Sequence, residues 1–388
     1  MISFDNTEIA FKSKSNKSLK RAYLLFKIIG NPSMVKLGKV ATTAALNLRL
    51  PIKGLIKKTI FAQFCGGETI ADCKSTIDLL GQYGIGTILD YSVEGKTSEE
   101  DFDATVKEII STIETASKSK NIPFAVFKIT GISRFSILEK ANESIDNLTE
   151  KERSEYDSIV ARINKICLAA FENQIPVFID AEETWIQDTI DRITHQMMQT
   201  YNRENAIIFN TVQLYRHDRL SFLSNAIDVA RKDGYHYGVK LVRGAYMEKE
   251  RARAKEKGYP SPIQPDKIAS DNDFDKALEL VVNNIDVVSV CAGSHNEKSS
   301  LLLTELVKKN NIEKSDKRIY FAQLLGMSDH ISYNLTHAGY NVAKYVPYGP
   351  VKEVMPYLLR RADENTSVAG QTSRELSLIM KEKKRRGI

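Results

Sequence analysis

Two adjacent guanidinium groups one helical turn from a carboxylate form the most chemically pointed stretch of the chain: Tyr357-Leu-Leu-Arg360-Arg361-Ala-Asp-Glu364-Asn-Thr-Ser367. Residues three and four apart share a helix face, so Glu364 can reach both Arg360 and Arg361 and hold their planes. Two fixed guanidiniums suit a small carboxylate, because each fork matches two oxygens bidentately. A solvated basic face is the other reading, and these residues alone do not choose. Pro347 and Pro350 stiffen the approach, Pro356 lies in the first turns, and Glu353 suits the positive N-terminal end.

A second set of polar side chains follows short β-rich runs. It comprises Glu68, Asp90, Tyr91, Lys128, Thr130, Asp180, Glu182, Glu183, Asn210, Gln213, Lys240, Arg243, Gly244, Tyr246, Ser294, His295, Asn296 and Gln323. Because every run ends this way, the pattern predicts a lined pocket for a polar ligand. Lys128, inside a β-run, is either a Schiff-base nucleophile or a fixed positive charge paired with a neighbour such as Asp180; we favour the fixed charge. His295 beside Asn296 could suggest a metal, but the six histidines are scattered with no H-x-H or HExxH spacing, so no metal is expected. Gly244-Ala-Tyr246 leaves room for a flat ring or a phosphate to approach backbone N–H groups.

The elements that must position these residues begin near residue 61. Runs at Ile60–Phe64, Thr87–Tyr91, Phe124–Ile129, Pro176–Asp180, Ala206–Asn210, Val239–Arg243, Val287–Cys291 and Arg318–Ala322 predict strands, with helical periodicity between them, as over Asp188–Tyr201 and Lys298–Lys309. Eight strands alternating with helices predict a distorted (β/α)8 TIM-type barrel whose buried strands read as apolar runs. A doubly wound open sheet is the alternative, but no strand-loop-helix carries GxGxxG. The domain reading is an N-terminal helical arm over 1–60 and a barrel over 61–388, with a charge-rich helical insert at 139–155 on the rim. The last helix, folded over the barrel mouth, would present its arginines to a ligand on the strand ends.

Composition sets the class. With 388 residues, 42% hydrophobic and 27% charged, the chain can bury a large core, and a net charge of +6 spread along it does not suggest nucleic-acid binding. Cys65, Cys73, Cys167 and Cys291 lie far apart, which fits a reducing compartment. No run of about 20 apolar residues is present, and the N-terminus reads as neither a secretory signal nor an organelle presequence. A cytoplasmic setting is expected. The amphipathic stretch Leu19–Ile29 and the basic Lys381–Arg386 raise peripheral contact with the inner face of a membrane as an alternative to a docked arm and a solvated tail.

At this point the sequence resembles the proline dehydrogenase family, closer to its single-function type. The resemblance is carried by ordered blocks: Gly66-Gly-Glu-Thr69, Leu89-Asp-Tyr-Ser-Val-Glu-Gly95, Phe127-Lys128, Ile179-Asp-Ala-Glu-Glu183, Phe209-Asn-Thr-Val-Gln213, Lys240-Leu-Val-Arg-Gly-Ala-Tyr246, Ser294-His-Asn-Glu297, Gln323-Leu-Leu-Gly-Met327, Lys344-Tyr-Val-Pro-Tyr-Gly-Pro350 and Tyr357–Ser367. It implies an FAD-dependent oxidation of L-proline to 1-pyrroline-5-carboxylate, the first step of proline degradation, with hydride passing to flavin N5 and electrons to quinone. Carried over, Arg360 and Arg361 would bind the proline carboxylate and Glu364 would orient them. Lys128, Tyr246, Leu325 and Tyr345 would wall the ring, and the bulk of Tyr345 suggests proline rather than hydroxyproline. Asp180 would lie beside substrate and flavin. Gln213, Lys240, Val242, Gly244, Ala245, Ser294, His295, Asn296 and Gln323 would contact FAD. Lys240 and Met247 depart from the bifunctional form of the family, where Arg and Trp stand. No aldehyde dehydrogenase half is evident, which leaves the next step to a partner, pyrroline-5-carboxylate dehydrogenase. A Schiff-base aldolase using Lys128 without flavin, and a carboxylate-binding protein without activity, are the competing classes.

Overall fold

The computed structural model describes residues 2–31, 33–38, 53–93, 97–367 and 371–388, without the side chains of 362–373. Its strands are β1 (Ile85–Tyr91), β2 (Phe124–Phe127), β3 (Val177–Ile179), β4 (Ile208–Gln213), β5 (Tyr237–Val242), β6 (Val288–Gly293), β7 (Ile319–Leu324) and β8 (Val342–Tyr348). They close into a barrel in chain order, with β1 parallel to β8. Strands such as β4 and β8 are buried at every position. That is why they read as apolar runs and not as alternating ones.

The (β/α)8 expectation holds, but one strand of the sequence reading is displaced. Ile60–Phe64 is helical: a π-helical turn over Lys57–Phe61 runs into the helix Ala62–Phe64. Its apolar residues serve a helix as well, since Phe61 and Phe64 lie three apart and are both buried. The missing strand is β8, whose Pro347 made Ala343–Pro350 look like a stiff approach. Pro347 is tolerated near the strand end, and its carbonyl accepts from Gly66 N at 2.9 Å.

The chain clusters into two compact units, Met1–Glu94 with Gln323–Ile388, and Gly95–Ala322. In the first, Leu19, Ala22, Phe26 and Ile29 form the buried stripe of the helix Asn16–Ile29, which Ser15 caps. This stripe shares a core with Phe64, Met355, Leu358, Leu378 and Ile379. In the second unit, the rings of Phe124 and Phe178 stack with centroids 4.5 Å apart. The charge-rich segment 139–155 lies between β2 and β3 there. It spans parts of the helices Phe135–Glu143 and Glu150–Glu172, the latter opened by a Thr149–Glu152 capping box.

Candidate functional site

In the unit Gly95–Ala322, the strand ends assemble an ion set. Lys128 directly follows β2, Asp180 directly follows β3, and Lys240 lies on β5. One oxygen of Asp180 pairs with the Lys240 ammonium, and the other lies 3.4 Å from Lys128 Nζ. Sequence reading anticipated the Lys128 pairing but not Lys240. Alternation places Lys240 two residues before Val242, on the same side of the strand.

The two loops that carry Lys128 and Asp180 are tied together by Glu182. Its carboxylate accepts from Thr130 N at 3.1 Å and from the Thr130 hydroxyl. Glu182 N donates to Gln187 Oε1 at 2.8 Å, and Gln187 Nε2 donates to Asp191 at 2.9 Å. Asp191 also accepts from Asn210 and, at 2.7 Å, from Arg219. Burial pushes the Glu182 carboxyl up to about 7, against the hydrogen bonds from Thr130, with Glu183 adding to the rise and Lys128 opposing it. Thr130 and Glu182 had stood among the polar strand ends with no role, because nothing in sequence joins residues so far apart.

After β5, Gly244 adopts φ +128°, and a Cβ there would sit 2.4 Å from the Tyr215 ring. The glycine is thus required by the Tyr215 ring, a reason the sequence did not show. Gly244 and Ala245 are exposed and Tyr246 is half-buried, while Val242 ends β5. Arg243 spans to the next strand end: it donates to Asp271 at 2.6 Å and to Ser294 Oγ at 2.8 Å. Ser294 is buried, His295 half-buried, and Asn296 caps the helix Glu297–Lys309. Gln213, the last residue of β4, is buried, and its Oε1 has no hydrogen-bond partner among the described residues. A buried acceptor left in this state is costly unless a ligand or water meets it.

In the unit that holds both termini, Gln323 lies in β7 and its Oε1 accepts from Ser332 at 2.7 Å. Leu325 N donates to the Tyr345 carbonyl in β8 at 2.8 Å. The helix Val351–Ser367 carries Arg360, half-buried, and Arg361, 8% exposed and stacked over the Tyr357 ring with 5.2 Å from Cζ to centroid. The Glu364 side chain lies outside the described residues. Glu68 secures the start of this helix: it accepts from Val351 N at 3.1 Å and pairs with Lys53 at 2.9 Å and with Lys57. Hydrogen bonding to Lys57 above all holds its carboxyl down at about 2. A carboxylate at this end also complements the helix dipole.

No group of three or more potential metal ligands occurs among the described residues, and none of their helices is long and apolar enough to cross a membrane.

Comparison with known proteins then identifies the relatives. A family model described as proline dehydrogenase matches residues 73–374. Hydroxyproline dehydrogenase of Xenopus laevis is 34% identical, covering 97% of this chain and 88% of its own. Proline dehydrogenase 1, mitochondrial, of Caenorhabditis elegans is 30% identical over 99% of this chain and 88% of its own. Among solved structures, proline utilization A (PutA) from Bdellovibrio bacteriovorus inactivated by N-propargylglycine matches with a TM-score of 0.73 at 19% identity, covering 93% of this chain. This chain spans only 38% of that PutA chain, and the likeness shows the shared fold. The chain belongs to the proline dehydrogenase family, oxidoreductases acting on proline.

Proposed function

We propose that the chain oxidises L-proline to 1-pyrroline-5-carboxylate with FAD as its cofactor and a quinone as final acceptor. The observation that carries the cofactor assignment is the buried Gln213 Oε1, which lacks a hydrogen-bond partner among the described residues. The flavin ring carries N–H donors of the kind this acceptor needs. Asp180, Gln213, Lys240, Val242, Gly244, Ala245, Ser294, His295, Asn296 and Gln323 are the residues we assign to hold it. When bound, FAD supplies the hydride acceptor, at flavin N5; the protein's share is positioning and electrostatics.

Arg360 and Arg361 bind the proline carboxylate, with Glu364 as their orienting partner. Tyr246, Leu325 and Tyr345 wall the ring and exclude water. Lys128 serves as a fixed charge: the Asp180 carboxylate 3.4 Å from its Nζ favours the ammonium, which disfavours the Schiff-base reading. Positive charge from Lys128 and the arginines in turn disfavours an ammonium on the substrate, so the neutral amine is the form oxidised. The test is a steady-state assay with proline and an artificial acceptor. Arg361→Met should raise the proline KM at least about tenfold, the cost of one charge-assisted pair. A KM within about twofold of wild type would remove the clamp assignment.

The remaining partners follow from chemistry. A pyrroline-5-carboxylate dehydrogenase would consume the product. Contact with the inner face of a membrane, where quinone is held, is supported by the helix Asn16–Ile29: Leu24 and Ile28 are exposed on one face beside exposed Lys20, Arg21 and Lys27. The four cysteines are free and buried, which suits a reducing, cytoplasmic setting. Sedimentation with anionic liposomes should show binding at low salt that is lost at high salt; no pelleting at either salt rules this contact out.

A further inference from the structure

The unit that holds both termini contains a buried charge cluster to which the proposed chemistry gives no role. Lys344, on β8, is 0% exposed, and its ammonium pairs with Asp329 Oδ1 at 3.0 Å. It also donates to the Leu324 carbonyl at 3.3 Å and to the Met327 carbonyl. Asp329 Oδ2 lies 3.1 Å from Lys14 Nζ, which brings in the N-terminal arm. Next along the chain, Ser328 N donates to the Glu375 carboxylate, and His330 Nδ1 lies 3.8 Å from that group. Burial alone would raise the Asp329 carboxyl, but Lys14 and Lys344 outweigh it and hold it well below the usual range. Burial lowers the Lys344 ammonium, against Asp329.

A buried ion pair is a poor way to gain stability, since apolar residues of the same shape often do as well. What apolar residues cannot do is satisfy buried carbonyls. Lys344 does this for a turn of unusual shape, in which Gly326 has φ +76° and Ser328 has φ +50°. A Cβ on Gly326 would lie 2.1 Å from the Gln63 carbonyl, and Gln63 Nε2 donates to the Gly326 carbonyl at 2.9 Å. Leu325 sits inside this turn, between the two carbonyls that Lys344 grips, and its N–H reaches the carbonyl of Tyr345, the next residue after Lys344.

We propose that Lys344 is a positioning residue for substrate choice: by gripping the carbonyls of Leu324 and Met327 it fixes Leu325 against Tyr345, and so sets whether a ring hydroxyl is admitted. This rests on the reading of Leu325 and Tyr345 as walls of the proline ring. Lys14 acts on the charge of Asp329 and not on the turn.

The test compares wild type, Lys344→Met, the double variant Lys344→Met/Asp329→Asn, and Lys14→Met by melting temperature and by the ratio of kcat/KM for L-proline over 4-hydroxy-L-proline. In Lys344→Met the ratio should change at least about fivefold and Tm should fall. The double variant, with no carboxylate left buried, should recover much of the Tm while the ratio stays shifted. Lys14→Met should lower Tm with the ratio unchanged, and where Lys344→Met does not fold the double variant is the one read. A ratio within about twofold of wild type in either Lys344 variant, a ratio restored along with Tm, or a ratio shifted by Lys14→Met overturns the proposal. Wild-type protein inactive on both substrates would instead overturn the reading of the site, which separates the two failures.

Discussion

Two aspartates in this chain each sit between two lysines, in different parts of the fold. Asp180 lies between Lys128 and Lys240 at the strand ends, and Asp329 lies between Lys14 and Lys344. Each set holds one partly exposed lysine and one buried one: the side chains of Lys128 and Lys240 are 23% and 7% exposed, those of Lys14 and Lys344 20% and 0%. Lys344 spends its donors on Asp329 and on backbone carbonyls, bolting a turn in place. Lys128 follows a strand end, and in the function proposed above it is a charge held for a ligand. On that proposal the same triad of charges is a fastener in one region and a presented charge in the other, and the groups that the lysines grip decide which.

That contrast can be broken by removing each aspartate's charge. Asp180→Asn should cost activity, about 100-fold in kcat/KM, the usual loss for one preorganised electrostatic group, and it should lower Tm as well, because the buried Lys240 loses its partner. Asp329→Asn should destabilise by about 3 kcal/mol because two cations lose their buried partner, but the activity of the folded fraction should stay within about tenfold. Denaturant melts beside steady-state kinetics would read both. An activity loss in Asp329→Asn as large as that in Asp180→Asn would erase the distinction.

A smaller effect belongs to Glu182, which stitches the Lys128 and Asp180 loops together. Its folded value of about 7 lies above its ordinary value of 4.5. The folded state therefore holds a proton that the unfolded chain has released across that window. Stability must fall as pH rises from 4.5 to 7, by up to about 3 kcal/mol from this group. Glu182→Gln should flatten the slope and leave the variant more stable than wild type above the window. Parallel slopes in thermal melts across pH would contradict it.

Much of the barrel was legible because parallel strands buried on both faces leave apolar runs that periodicity detects. The miss at Ile60–Phe64 shows the limit: a short apolar run with residues three apart fits strand or helix equally, and Pro347 disguised β8. Lys128, Asp180 and the Arg360–Arg361 pair stood out by type and place. The Glu182–Thr130 stitch and the Lys14–Asp329–Lys344 cluster did not, because each joins residues that only folding brings together. Gly244 was noticed for its freedom, yet the ring of Tyr215 is what demands it.

Whether proline reduces a flavin held by this chain can be read from an anaerobic titration of the purified protein with L-proline. The protein should be yellow and its visible flavin absorbance should bleach on addition of proline, while an Arg361→Met variant should be equally yellow and need far more proline to bleach. A colourless protein that gains no flavin when FAD is supplied, or a yellow one that proline leaves unbleached, would contradict the proposed function.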